Sequence, residues 1–115
     1  MKVLAGLAVA DMHGALAWYE RLLGRPAGAL PMDGLAEWHF ADGGSIQLVQ
    51  DADRAGRGLM TLAVEDLERC VGDLRTRDLN PEAIDDQTSD TVLIATIADP
   101  EGNTITLVEQ RRTGD

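Results

Sequence analysis

The sequence is poor in cysteine and contains no long apolar run. Cys70 is the single cysteine among 115 residues, which excludes an intrachain disulfide and a zinc site built from several cysteines and favours a reducing compartment. No apolar stretch approaches the roughly 20 residues of a membrane-spanning helix. Asp11 interrupts the first apolar segment too early for a signal peptide. We therefore expect a cytoplasmic protein with no membrane partner.

Basic residues are also scarce, with 10 Lys and Arg against 20 Asp and Glu, so the formal net charge is −10. Nucleic acid is disfavoured as a partner, because binding to it begins when Lys and Arg neutralise phosphates. The charge suits a neutral or cationic small ligand better. A 44% apolar fraction with 26% charged residues is typical of a globular chain, and the length fits one domain.

The chain repeats itself once. The segment Leu7–Met12 recurs as Leu62–Leu67 at an offset of 55 positions, and Asp42–Gln50 recurs as Glu101–Glu109 at an offset of 59. The two matches keep the same order and nearly the same spacing, which indicates two copies of one structural unit.

Each copy begins with the pattern of a strand followed by a helix. In the first copy, the apolar segment Val3–Val9 predicts a strand that is buried on both faces. Asp11 is the predicted N-cap of a helix over 12–23, and Gly24 is the predicted left-handed residue at the end of that helix. The second copy predicts a strand over 59–64, a cap at Asp66 and a helix from Leu67 to about residue 77, with Cys70 on its inner face as a small buried residue.

Three further strands complete each copy. They are predicted near 28–30, 35–40 and 45–50 in the first copy, and near 82–84, 91–97 and 103–109 in the second. We therefore expect a single domain over 1–115 with a first βαβββ module at about 2–50, a linker at 51–57 and a second βαβββ module at about 58–109. Residues 110–115 are expected to fray.

Two motifs give the chain a family resemblance. The segment Asp99–Glu109 resembles the "DP-x-GN-x-I-x-L-x-E" signature of the vicinal oxygen chelate superfamily, and Val9–Met12 with Ala17–Pro26 resembles its "V-x-D … FY-x-x-LLG-x-x-P" pattern. The resemblance implies an α+β fold in which two tandem βαβββ modules form a curved mixed sheet around a cleft, the glyoxalase/bleomycin-resistance/dioxygenase fold. It also implies a homodimer, because a second copy usually completes the cleft.

The resemblance implies four positions for metal ligands, and none holds a suitable residue. These positions are Leu4 and Leu59 on the first strands, and Gln47 and Thr106 on the last strands. Leucine has no donor atom, and neutral amide or hydroxyl oxygens hold a divalent ion weakly. We expect no metal and no other cofactor, which is the character of the bleomycin-resistance type of binding protein rather than of glyoxalase or the extradiol dioxygenases.

Strand alternation predicts which side chains line the cleft. If Gln47 and Thr106 face it, Ser45 and Val49 do so too, while Ile46, Leu48, Ile105 and Leu107 pack beneath the helices. The orientation of the strand over 35–40 stays open. In one orientation Glu37 and His39 face the cleft, where they form either a general acid/base pair or a solvated edge. In the other orientation Trp38 faces the cleft and stacks on a planar ligand. The candidate ligand-binding residues are Leu4, Gly6, Trp38, His39, Gln47, Leu59, Thr61 and Thr106.

These residues predict a metal-free protein that binds a small organic molecule, and sequestration of an antibiotic-like compound is the sharpest form of that hypothesis. One alternative is a lyase or isomerase that uses Glu37 and His39. Another is a metal-dependent enzyme whose ligands include His39 and Glu109. A third is a dimerisation module with a filled cleft.

Overall fold

The structure, a computed structural model, describes residues 1–112 and contains two helices and seven strands in that part of the chain. The elements are, in order, β1 (Leu4–Val9), α1 (Met12–Leu23), β2 (Ala29–Met32), β3 (Leu35–His39), β4 (Ser45–Gln50), β5 (Leu59–Ala63), α2 (Leu67–Thr76), β6 (Val92–Ala98) and β7 (Thr104–Gln110). Neither helix is long and apolar enough to cross a membrane. The frayed end predicted over 110–115 begins too early, because Gln110 is the last residue of β7. Residues 113–115 lie outside the described part of the chain.

The strands form one mixed sheet of four and one of three, so the α+β class is confirmed. The first sheet has the order β1-β4-β3-β2 and the second the order β5-β7-β6. In each sheet the first strand runs parallel to the last, with Leu4 opposite Ser45 and Leu59 opposite Thr104. Leu4 and Leu59 are 55 positions apart, and Ser45 and Thr104 are 59 positions apart, so the two sheets are related by the same offsets as the sequence repeat.

Both helices begin, and α1 ends, as their capping residues predict. The Asp11 side chain accepts a hydrogen bond from Gly14 N at 3.1 Å, and the Asp66 side chain accepts one from Arg69 N at 3.0 Å. These bonds satisfy amides that have no partner inside the helix. Gly24 ends α1 in the left-handed region with a φ of 77°, where a side chain would be strained.

The core lies on the helix-facing side of both sheets. Ile46, Leu48, Ile105 and Leu107 are buried there, as the alternation predicts. The prediction that β1 is buried on both faces is wrong, because Leu4, Ala5 and Gly6 are exposed. Leu4 and Gly6 lie on the outer face, which carries no helix, and Ala5, on the helix-facing side, lines a cavity.

The predicted strand over 82–84 is absent from the second sheet. Glu82 N still donates to Thr96 O, and Asp85 forms an isolated bridge with Ile94. The Asp85 carboxylate then accepts hydrogen bonds from Gln87 N, Thr88 N and Thr88 Oγ1. This side-chain turn takes the backbone away from β6, so the second module has three strands where the first has four.

A buried polar group joins the two modules, and we call it the polar latch (Tyr19, Asp99, Glu101, Asn103). The Tyr19 hydroxyl donates to Asp99 Oδ2 at 2.7 Å, and Asn103 Nδ2 donates to Ala8 O at 2.9 Å. The Glu101 carboxylate accepts from the Ala10 and Asp11 amides. Burial, and then the Asp99 carboxylate, raise the pKa of Tyr19 far above its usual range. The latch therefore ties the end of β1 and the start of α1 to the β6–β7 turn.

Candidate functional site

The outer face of the first sheet, opposite the core, carries four linked polar side chains, which we call the polar chain (Glu37, His39, Ser45, Gln47). They meet because the register of β3 and β4 pairs Glu37 with Gln47 and His39 with Ser45. Gln47 Nε2 donates to Glu37 Oε2 at 2.6 Å. Glu37 Oε1 lies 3.3 Å from His39 Nε2, and His39 Nδ1 lies 3.0 Å from Ser45 Oγ.

These contacts assign different roles to the two nitrogens of His39. A neutral imidazole whose Nε2–H donates to Glu37 leaves Nδ1 to accept from the Ser45 hydroxyl. The His39 side chain is 53% exposed and that of Glu37 only 14%. The sheet therefore holds the carboxylate in place while the imidazole stays accessible. Such a group can bind a cationic or hydrogen-bond-donating ligand, or exchange a proton with it.

Apolar and open positions flank the polar chain. Leu4 lies opposite Ser45 in the ladder, and Val49 lies opposite both Ala8 and Leu35. The side chains of Leu4 and Val49 are exposed. A Cβ built on Gly6 would meet no atom within 4 Å, so the space above β1 is open. Apolar surroundings with a few convergent polar groups are typical of small-molecule sites.

The outer face of the second sheet is neutral. Thr61 lies opposite Thr106, which in turn lies opposite Thr96, so three hydroxyls form a row across β5, β7 and β6. Leu59, 73% exposed, lies at one end of this face. The candidate residues thus divide between two sheets, with Leu4, Gly6, His39 and Gln47 on the first and Leu59, Thr61 and Thr106 on the second.

The alternative in which Trp38 faces the ligand is wrong. Trp38 is 1% exposed and lies in the core, with its ring centroid 6.4 Å from that of Tyr19. Its indole Nε1 donates to Arg25 O at 3.0 Å, which satisfies the buried donor. Because successive side chains of a strand point to opposite faces, the outer face receives Glu37 and His39.

The residues present do not fit a divalent metal ion. Leu4 and Leu59 offer no donor atom, and the amide of Gln47 is bonded to Glu37. The alternative ligand Glu109 accepts from Leu67 N at 2.7 Å and so caps α2, on a different sheet from His39. Across residues 1–112, no group of three or more His, Cys, Asp or Glu side chains is placed to hold a metal.

Sequence reasoning missed a cavity of about 810 Å³ on the helix-facing side, between the two modules. Of the candidate residues only Thr61 touches it, and its walls include Phe40, Met60, Cys70 and Leu74. It also missed the hydrogen bond of Ser45 to His39. The hairpin position of both residues was the signal for that bond, because cross-strand neighbours share a face.

No protein-family profile and no curated protein sequence matches this chain significantly. Among solved structures, the glyoxalase / bleomycin resistance protein of Catenulispora acidiphila DSM 44928 is similar with a TM-score of 0.86 and 31% identity, over 95% of this chain and 97% of that one. A bleomycin-binding protein complexed with bleomycin has a TM-score of 0.79 and 17% identity, over 96% and 99% of the two chains. TnmS3, an antibiotic binding protein from Streptomyces sp. CB03234, has a TM-score of 0.79 and 19% identity, over 96% of each chain.

The two latter structures share the fold, while the first is similar in sequence as well, over nearly the whole of both chains. The repeat, the ladder registers and the motif at Asp99–Glu109 agree with that similarity. The chain therefore belongs to the glyoxalase/bleomycin resistance protein family, within the vicinal oxygen chelate superfamily.

Proposed function

We propose that this protein binds a small organic molecule on the outer faces of its sheets without a metal ion, and that it sequesters an antibiotic-like compound. The observation that carries the proposal is the polar chain: Gln47, at a position where the resemblance implies a metal ligand, instead orients the carboxylate of Glu37. That carboxylate lies on the same face as the open space above Gly6, with Gln47 between them.

The charges favour a ligand with a cationic or hydrogen-bond-donating group. Glu37 accepts such a group, and Leu4 and Val49 offer apolar contact to the rest of the molecule. The net charge of −10 attracts cations over a longer range. Similar structures belong to proteins described as binding bleomycin or an antibiotic, which supports this ligand class.

The proposal includes a homodimer in the cytoplasm, with residues 1–115 as one domain of two modules. Leu4, Val49 and Leu59 are exposed apolar side chains on the outer faces. Burying them against a second copy would remove apolar surface from water and enclose the ligand. Sedimentation velocity tests the dimer, and a monomer at every concentration would contradict it.

The test is calorimetric titration with two probes, metal-free bleomycin and the planar cation 9-aminoacridine, on protein treated with EDTA. A charge-assisted hydrogen bond contributes about 1.5–3 kcal/mol, so Glu37→Gln is expected to weaken 9-aminoacridine binding about tenfold or more. Glu20→Gln, which removes an exposed carboxylate on α1, is the matched control and leaves the affinity unchanged. Equal loss in both variants, no binding of either probe, or binding that needs an added metal ion would overturn the proposal.

A second candidate function is a lyase or isomerase reaction, favoured by the contact of Glu37 with His39 at 3.3 Å. In this reading Glu37 orients the ring, and His39 Nδ1 takes a proton from the substrate. His39→Gln would then abolish turnover while the exposed control His13→Gln retains it. Full turnover by a folded His39→Gln variant would exclude this function.

A further inference from the structure

The two junctions between the modules are related by the internal repeat but are built differently. At the first junction, the end of β1 meets the β6–β7 turn through the polar latch. The second junction is formed by the elements that the repeat relates to these, the end of β5 and the β3–β4 turn, which line one cavity. The offsets of 55 and 59 positions assign each latch residue a counterpart there. The counterparts of Tyr19, Asp99, Glu101 and Asn103 are, in that order, Leu74, Phe40, Asp42 and Gly44.

Three of these four substitutions remove a polar side chain from the second junction, and the fourth, Asp42, accepts a hydrogen bond from Gly44 N within its own turn. Leu74 and Phe40 have no polar group where Tyr19 and Asp99 share a 2.7 Å hydrogen bond. Gly44 has no side chain where Asn103 reaches across to Ala8 O. The counterpart of Ala8 is Ala63, and no hydrogen bond joins Ala63 to Gly44 among the described residues.

The cavity of about 810 Å³ lies at this second junction. All four latch counterparts line it, and so does Ala63. The volume is within the ~300–1,000 Å³ of small-molecule sites. The charged side chains among its described lining residues are those of Lys2 and Asp42, which have opposite sign, and burial raises the pKa of the Cys70 thiol.

The geometry points to a second binding site on the helix-facing side, which shares only Ser45 and Thr61 with the residues described on the outer faces. It takes one uncharged, largely apolar small molecule in place of the missing latch. A charged ligand would lose its hydration against apolar walls such as Phe40, Met60 and Leu74. The side chains of Lys2 and Asp42 have opposite charges, so a ligand of either sign would be repelled by one of them. An apolar ligand gains by leaving water and fills the space between the end of β5 and the β3–β4 turn, where no hydrogen bond joins Ala63 to Gly44 among the described residues. This inference is independent of the function proposed above.

Two exposed alanines provide a matched pair of variants. Ala5 lines the cavity and lies opposite the buried Ile46, whereas Ala17 lies on α1 and does not line the cavity. Both positions are exposed, which favours folding of the variants. The probe is the neutral fluorophore N-phenyl-1-naphthylamine, titrated into the full chain. We expect saturable binding of one dye per chain, at least tenfold weaker binding by Ala5→Trp, and unchanged binding by Ala17→Trp.

A second measurement uses the wild-type chain alone. Cys70 lines the cavity, so bound dye should slow its alkylation by N-ethylmaleimide, with half the effect at the dissociation constant from fluorescence. Wild-type affinity in a folded Ala5→Trp variant, loss of binding in Ala17→Trp, or no protection of Cys70 would each overturn the inference. A dye signal per chain that falls as the protein concentration rises would also overturn it, because a second copy would then fill the cavity.

Discussion

Replacement of Tyr19 by Phe tests the polar latch directly. The change removes one hydroxyl that is fully buried and donates to Asp99 Oδ2, and it leaves the ring in its contacts with Trp18 and Trp38. A hydrogen bond to a charged group contributes about 1.5–3 kcal/mol, and Asp99 Oδ2 keeps Asn103 Nδ2 as a second donor. We therefore expect a loss of about 2 kcal/mol in the free energy of unfolding.

Urea denaturation measures that loss, and thermal unfolding gives an independent value. With an unfolding entropy of about 2.1 cal/mol/K per residue, ~2 kcal/mol lowers the Tm of a chain of this length by about 8 °C. Thr76→Val is the matched control, since it removes an exposed hydroxyl that donates to Asp73 O, and its loss should stay below about 0.5 kcal/mol. A Tyr19→Phe variant as stable as this control would refute the argument that the latch joins the modules.

Three further variants or reagents test other parts of the structure. Trp38→Ala should lose about 3–5 kcal/mol of stability by urea denaturation, because it empties a core site; a stable variant with altered ligand affinity would contradict the core position. Gly24→Ala should lose about 1–2 kcal/mol, because a φ of 77° strains any residue with a Cβ, whereas Gly6→Ala should be nearly neutral. Burial, and then Asp73, raise the pKa of Cys70, so its alkylation rate in the folded protein should rise at higher pH than that of free cysteine; a rate profile with the ordinary midpoint would contradict this.

The outer-face site could be predicted in part from the sequence. Alternation along β4 places Gln47 and Ser45 on one face, and the structure confirms that Ile46 and Leu48 face the core. The orientation of β3 could not be predicted, because both of its faces carry residues suited to a site. The core decided it, since burying Trp38 removes the largest apolar surface of the strand from water.

The repeat, the helix caps and the faces of the inner strands followed from the sequence by itself, because each depends on residues close together along the chain or on regular alternation. Asp11, Asp66 and Gly24 act within one turn of their own helix, so their side chains are sufficient to predict the helix ends. The strand predicted over 82–84 is absent because a turn at Asp85 competes with pairing to β6.

Only the tertiary structure decided how the two copies meet. Tyr19 and Asp99 are 80 positions apart, and no local pattern indicates that a helix residue of one module donates to a turn residue of the other. The same holds for the cavity, whose walls come from both modules and whose size depends on packing rather than on any single residue. The sequence determined two similar units, whereas contacts between distant residues made one junction polar and closed and left the other apolar and open.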